Sequence, residues 1–249
     1  QMLGQPMKAL LLLDVEPVLD AADAAAAQAA LAGSGLVVAL TSFQDAAVPN
    51  ADVLLPIAPF TETGGSFVNA EGRLQPFNGV VKPLGETRPA WKVLRVLANL
   101  LGLPGFNHET VDEVRAEALG DPAKLAARLD NATSAPIVLT PAVSGPQPGF
   151  QRMADVPIYA TDPLVRRAPS LQQTADARTA PQASLPAGLW QQLGLAAGDK
   201  VRVAQGSASA VLPARLDESL AADVVRVPAA LVETATLGPL FGAITVEKA

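Results

Sequence analysis

Three short apolar runs near the start of the chain constrain its fold more than anything else in the sequence. Lys8 to Val15 (KALLLLDV), Leu36 to Leu40 (LVVAL) and Asp52 to Ile57 (DVLLPI) are continuous rather than alternating. Such runs predict strands covered on both faces, as in a parallel sheet. Between the first two lies Val18 to Ala32, Ala-rich with Asp20 and Asp23 near its start. That is a helix composition, with carboxylates at the positive end of the dipole. Gly33-Ser34-Gly35 ends it, Thr41 to Pro49 is a polar connection, and Pro56 suits a strand end. Strand, helix, strand, connection, strand is the order of a parallel α/β layer.

The stretch just past the third strand is the most unusual in the chain: Thr61 to Gln75, TETGGSFVNAEGRLQ. Ligand sites of open α/β sheets lie at the carboxyl ends of strands. Gly64 and Gly65 let the backbone approach a ligand, Asn69 can donate and accept, and Arg73 can grip a phosphate or carboxylate bidentately. Two readings stay open on chemistry alone. One is a loop facing a phosphate-bearing cofactor. The other is an ordered surface loop in which Glu71 and Arg73 pair structurally. Neither a GxxxxGK phosphate loop nor a clean GxGxxG is present.

Further on, Pro89 to Gly102 has apolar residues at Trp91, Leu94, Leu97, Ala98 and Leu101, a helical spacing opened by Pro and closed by Gly. Val111 to Leu119 reads as a second helix, and Asp121-Pro122 starts a third that runs to about Leu129. From Asn131 to Pro186 the composition turns to Pro, Ser, Gln and Thr, with apolar islands at Ile137 to Leu139 and Ile158-Tyr159. It reads as an irregular, partly extended connector. Then Lys200-Val201-Arg202-Val203 alternates, and Ser207 to Leu212, Val224 to Val227 and Ala243 to Val246 are short strand signals. Close strands with Gly and Asp turns predict a small β-barrel. The expected division is an α/β domain over 1–130, a connector over 131–186 and a barrel over 187–249.

Composition narrows the function. Net charge is −6 with no Lys or Arg run, which argues against nucleic acid. There are no cysteines, so no disulfide, iron–sulfur cluster or thiolate zinc forms within this chain. No apolar run approaches the roughly 20 residues of a membrane span, and the start shows no signal peptide. Opening on Gln1 suggests a piece of something longer. His108 is the single histidine, expected at a cap or on the surface; Asp112 and Glu113 match the dipole of a first turn. Arg166-Arg167 can grip an acidic partner or form an internal salt bridge. Trp91 and Trp190 suit core or interface anchors.

The run from Ala51 to Gln75 resembles the molybdopterin oxidoreductase superfamily, where an Ala-Asp-x-x-Leu-Pro strand leads into Glu-x-x-Gly-Ser-Phe-x-Asn-x-Glu-Gly-Arg. Leu193 to Val203 resembles the opening of that superfamily's C-terminal dinucleotide-binding barrel. With YATDPLVRRAPSLQQT and LGPLFGAITVEKA, the chain further resembles the C-terminal part of the large peripheral-arm subunit of bacterial NADH–quinone oxidoreductase, respiratory complex I. That resemblance implies a structural, non-catalytic region of a parent that passes electrons from NADH to quinone. It implies iron–sulfur clusters elsewhere in the parent, no cofactor in this fragment and no retained molybdopterin. It also implies contacts with other subunits of the complex and a peripheral place on the cytoplasmic side of the inner membrane, with no membrane insertion. Gly64, Gly65, Asn69, Glu71 and Arg73 would then be a vestigial pterin-facing edge. The alternative is the pterin-binding domain of an active molybdopterin oxidoreductase, such as a formate dehydrogenase-like enzyme. A free-standing small-molecule-binding α/β protein is the third possibility.

Overall fold

A computed structural model describes residues 7–45, 51–121, 124–129 and 148–249. The chain divides into two compact units: residues 1–37, 45–52 and 141–249 form the first, and 38–44 with 53–140 the second. Pro122 and the apolar island Ile137 to Leu139 lie outside the described residues.

The first unit opens with β1 (Leu10–Leu13). The Leu10 amide donates to the Leu36 carbonyl at 2.8 Å, and Gly35 approaches so closely that a Cβ there would lie 2.9 Å from the Lys8 carbonyl oxygen. The helical stretch between them is broken into α1 (Pro17–Asp20) and α2 (Ala24–Gly33). Asp23 causes the break. It caps α2, its carboxylate accepting the Ala26 amide at 2.9 Å. α2 buries Ala24, Ala27, Ala30 and Leu31. The expected burial of β1 on both faces does not hold. Leu12 is buried, while Leu11 and Leu13 stay 50% and 45% exposed, so the run is apolar on a face that the described residues leave open.

In the second unit β2 (Val37–Thr41), which enters it at Val38, pairs in parallel with β3 (Val53–Pro56) from Val38↔Val53 to Thr41↔Pro56. Pro56 closes the strand, as its missing amide requires. A 3-10 turn over Phe60–Glu62 follows. Then come β4 (Gly65–Val68) and β5 (Leu74–Phe77), an antiparallel hairpin. α3 (Ala90–Leu100) begins after Pro89 and ends at Gly102, whose φ of +70° is the left-handed stop that glycine tolerates. α4 (Val111–Leu119) is capped by Thr110, whose hydroxyl accepts the Glu113 amide at 3.2 Å. α5 (Leu125–Arg128) is short.

The core of the first unit is a closed barrel. Its strands are β6 (Phe150–Met153), β7 (Ala183–Leu185), β8 (Lys200–Gln205), β9 (Ala208–Leu216), β10 (Val224–Arg226) and β11 (Phe241–Lys248), in the spatial order β10-β6-β11-β8-β9-β7. Val201 and Val203 from β8, Leu212 from β9, Val225 from β10, Leu185 from β7 and Ile244 from β11 fill it. Trp190, on the helix that precedes β8, packs against this core.

The Pro-rich stretch is more ordered than its composition predicts. It supplies β6 and β7 to the barrel. It also forms α6 (Pro163–Arg166), α7 (Pro169–Gln172) and α8 (Ala175–Thr179), with α9 (Ala187–Gln192) after β7. Its prolines do not break these helices. Pro163 and Pro169 stand in their first turns, where an amide would have no helical partner.

Candidate functional site

Within Thr61 to Gln75, the residues from Gly65 onward fold as a hairpin. The alternation inside it explains why. Ser66, Val68 and Leu74 line a small cavity with Trp91, Val114 and Arg115, and Arg115 Nε donates to the Ser66 hydroxyl at 2.7 Å. Phe67 and Phe77 stack on each other, ring centroids 5.0 Å apart and planes 14° apart. Phe67 is left 62% exposed.

The five residues singled out from the sequence divide between the base and the tip of this hairpin. At the base, a Cβ on Gly65 would meet the Phe77 ring at 2.6 Å, and one on Gly64 would meet Val111 at 3.3 Å. At the tip, the Asn69 side-chain oxygen accepts the amides of Glu71 and Arg73 at 3.0 and 2.9 Å, folding the turn. Gly72 takes φ +75° there. Glu71 pairs with Arg73 at 2.8 Å with both side chains largely exposed. Asn69, Glu71 and Arg73 thus satisfy one another.

An open cleft of about 790 Å³ lies at the hairpin base, lined by Glu62, Thr63, Gly64, Gly79, the 80–83 segment, Arg88, Trp91, Lys92, Glu109 and Thr110. Of the five sequence candidates only Gly64 reaches it. Sequence reading missed its cations, Lys82, Arg88 and Lys92. The signal was their spacing after β5 and into the first turn of α3, which reads as ordinary surface charge. Lys92 Nζ lies 5.3 Å over the Trp91 ring, and Arg88 reaches Glu86 only at 3.8 Å. Glu62 is turned to structural use, accepting the Leu84 amide at 2.9 Å. Gly79 allows two backbones to touch: a Cβ on it would come within 2.9 Å of the Glu62 carbonyl carbon and the Thr63 nitrogen.

The other residues singled out from the sequence are structural. His108 bonds Glu117 rather than capping α4, and its carbonyl accepts from Arg95 at 2.7 Å. Glu113 reaches back to the Glu109 amide at 2.8 Å, which holds its carboxyl below the usual range, with the Thr110 hydroxyl adding to the effect. Arg166 and Arg167 form internal salt bridges to Glu16, Asp20 and Asp45. Among the described residues no group of three or more His, Asp or Glu side chains is placed to hold a metal, and no helix is long and apolar enough to cross a membrane.

Residues 1–100 match the family model described as Molybdopterin oxidoreductase. A Staphylococcus aureus (strain bovine RF122 / ET3-1) protein named "Putative formate dehydrogenase" is 38% identical over 90 residues, 35% of this chain and 9% of that protein. A protein of the same name from S. aureus strain USA300 is 42% identical over 67 residues, 26% of this chain and 7% of that protein. The matched segments therefore span less than a tenth of those relatives. Acetylene hydratase from Pelobacter acetylenicus has a similar fold, with a TM-score of 0.66 and 18% identity over 97% of this chain and 44% of that chain.

These findings correct one expectation. Segments of the chain are 38–42% identical to proteins named for formate dehydrogenase, which overturns its reading as a structural region of a complex I peripheral-arm subunit. The NADH, quinone and inner-membrane expectations rested on that identity and lose their support with it. The α/β fold with a parallel sheet and a C-terminal barrel, in the manner of the molybdopterin oxidoreductases, stands.

Proposed function

We propose that this chain is part of a formate dehydrogenase-like molybdopterin oxidoreductase, and that the cleft at the hairpin base faces its pterin-type cofactor. The observation that carries this is the 38–42% identity to proteins of that name, within a chain whose family match runs over residues 1–100 and so includes most of the cleft.

The residues present fit one part of such a group. Lys82, Arg88 and Lys92 offer three cations on one rim, Thr63 and Thr110 offer hydroxyls, and Gly64 and Gly79 keep the backbone bare between them. That donor set suits a phosphate-bearing edge. Lys82, Arg88 and Lys92 would hold it, and the Trp91 ring would keep the Lys92 ammonium in place. When bound, the group supplies the oxidation–reduction chemistry, and the chain supplies binding and orientation. Gly64, Gly65, Asn69, Glu71 and Arg73 serve this site indirectly. Gly65, Asn69, Glu71 and Arg73 fix the hairpin, whose base Gly64 brings to the cleft.

The test is metal and pterin analysis of the full-length protein that contains this chain, together with formate-dependent dye reduction. Stoichiometric pterin with molybdenum or tungsten, lowered by replacing Lys82, Arg88 and Lys92 with Ala together, is the expected result. A protein purified without pterin, or one whose pterin content ignores the triple substitution, would overturn the assignment.

A further inference from the structure

The crevice beyond the carboxyl ends of the strands is where an open α/β sheet binds its ligand. In the first unit, Glu16 and Asp45 fill an anion-sized place with the protein's own side chains. Glu16 follows β1 and Asp45 follows β2. The Glu16 side chain is 3% exposed, and each of its oxygens meets a different arginine: Oε2 accepts from Arg166 Nη1 at 2.8 Å and Oε1 from Arg167 Nη2 at 2.5 Å. Arg166 also donates to Asp20 at 2.5 Å and to the Ala160 carbonyl at 3.0 Å. Arg167 donates to both oxygens of Asp45 at 2.6 and 2.8 Å.

Two adjacent guanidinium forks converging on one small volume are the arrangement that recognises phosphate. Here carboxylates supply the oxygens that a ligand anion would offer. Burial pushes the Asp14 carboxyl up, and the charges of Asp162, Asp20 and Glu16 push it further in the same direction. Glu16, Asp20 and Asp45 already set three carboxylates against the two guanidinium groups. An incoming anion meets that field unless a carboxylate leaves. Room exists for it: a cavity of about 610 Å³ opens beside the clasp, walled by Leu19, Tyr159, Gln172 and Leu231.

We propose that Arg166 and Arg167 form an anion seat of the phosphate class which Glu16 and Asp45 keep filled, so that in this chain the phosphate-bearing part of a pterin-type cofactor is not held at this crevice. The seat itself is independent of the proposed function, whose ligand lies in the second unit; what it means for a pterin-type cofactor rests on that reading. Asp45 is the replaceable member of the clasp, 47% exposed where Glu16 is buried.

The experiment is calorimetric titration of inorganic pyrophosphate into the full chain, using wild type, Asp45→Asn and Asp45→Asn/Arg167→Ala. Asp45→Asn is expected to bind at least about tenfold more tightly than wild type, a change of about 1.4 kcal/mol, and the added Arg167→Ala to abolish the gain. Glu16→Gln, checked for folding by circular dichroism, provides an independent route to the same gain. Wild type binding as tightly as Asp45→Asn, with loss on Arg167→Ala, would show an open seat and overturn the proposal. Folded Asp45→Asn binding no better than wild type would show that no seat lies beneath the carboxylate, and would overturn it equally.

Discussion

The ring of Phe77 stands where a side chain on Gly65 would have to go, with Cζ 2.6 Å from the position of a Cβ built there. Their strands pair these two residues directly. The aromatic side chain covers the glycine across the hairpin, and Phe67 stacks on that ring.

That relationship gives an ordering of glycine substitutions. Gly65→Ala meets the end of a side chain that can swing away, at a cost of about 1 kcal/mol. Gly79→Ala meets backbone at 2.9 Å, and Gly72→Ala meets the Leu129 carbonyl at 2.7 Å from a residue already at φ +75°. Neither can yield so easily, and each should cost about 2–3 kcal/mol. Urea unfolding of the three variants checks the order; Gly65→Ala as the worst of the three would contradict it.

Arg152, on β6 of the barrel, is a buried cation. It is 2% exposed, and burial draws its pKa down. Its guanidinium donates to Gln205 at 3.0 Å and to the carbonyls of Val227, Pro228, Gly238 and Pro239 at 3.0 to 3.3 Å. Among the described residues no carboxylate pairs with it. Arg152→Met leaves these acceptors unsatisfied and should cost about 3–5 kcal/mol. Because the partners are uncharged, the loss should barely change between low and high salt, which denaturant melts at two ionic strengths would reveal.

Glu16 and Asp45 sit in one ionic clasp but should differ sharply in worth. Glu16→Gln strands two guanidinium groups in a buried place, a loss of about 3–5 kcal/mol. Asp45→Asn removes a half-exposed partner and should cost about 1 kcal/mol or less. Equal losses in thermal melts would count against the burial argument.

The Asp199–Lys248 pair should give a pH signature. The Lys248 ammonium, 2.7 Å away, holds the Asp199 carboxyl below its usual range, and the Ala196 amide adds to this. A carboxyl with a depressed folded pKa stabilises above its unfolded value, near 4, and the contribution disappears as pH falls through the folded value. Asp199→Asn should therefore melt below wild type at neutral pH, and the two curves should merge in strong acid. A difference that persists there would mean the carboxylate charge is not responsible.

Sequence made some of this legible and hid the rest for identifiable reasons. The alternation of Lys200-Val201-Arg202-Val203 announced β8, and the two valines are fully buried. The parallel β2–β3 pair followed from its apolar runs. β6 was invisible because, beside Phe150, the residue that it buries is Arg152, which alternation reads as outward. The helices α6 to α8 were hidden by reading proline as a breaker where it opens a first turn. Glu16 offered no local signal, since its partners Arg166 and Arg167 lie 150 and 151 residues away. The motif around Gly64 and Arg73, on which the superfamily resemblance rested, lies within the residues that the family model matches. The narrower complex I resemblance leaned on Ile158 to Gln173, beyond the residues that the family model covers.

The strand order of the barrel has a consequence for how the molecule forms. β6 is held between β10 and β11, and none of its pairings is with a neighbour in sequence. Its partners begin at Val224 and Phe241, so β6 must wait unpaired while some seventy residues of chain find their places. Closing so large a loop before any pairing rewards it is slow. β7 and β9 pose the same problem on the other side. The β8–β9 hairpin, joined by a turn at Gly206, can form by itself and early. Refolding should therefore pass through a hairpin-first state whose open edges invite pairing with another copy. Dilute conditions matter more to this chain during its assembly than at any later moment.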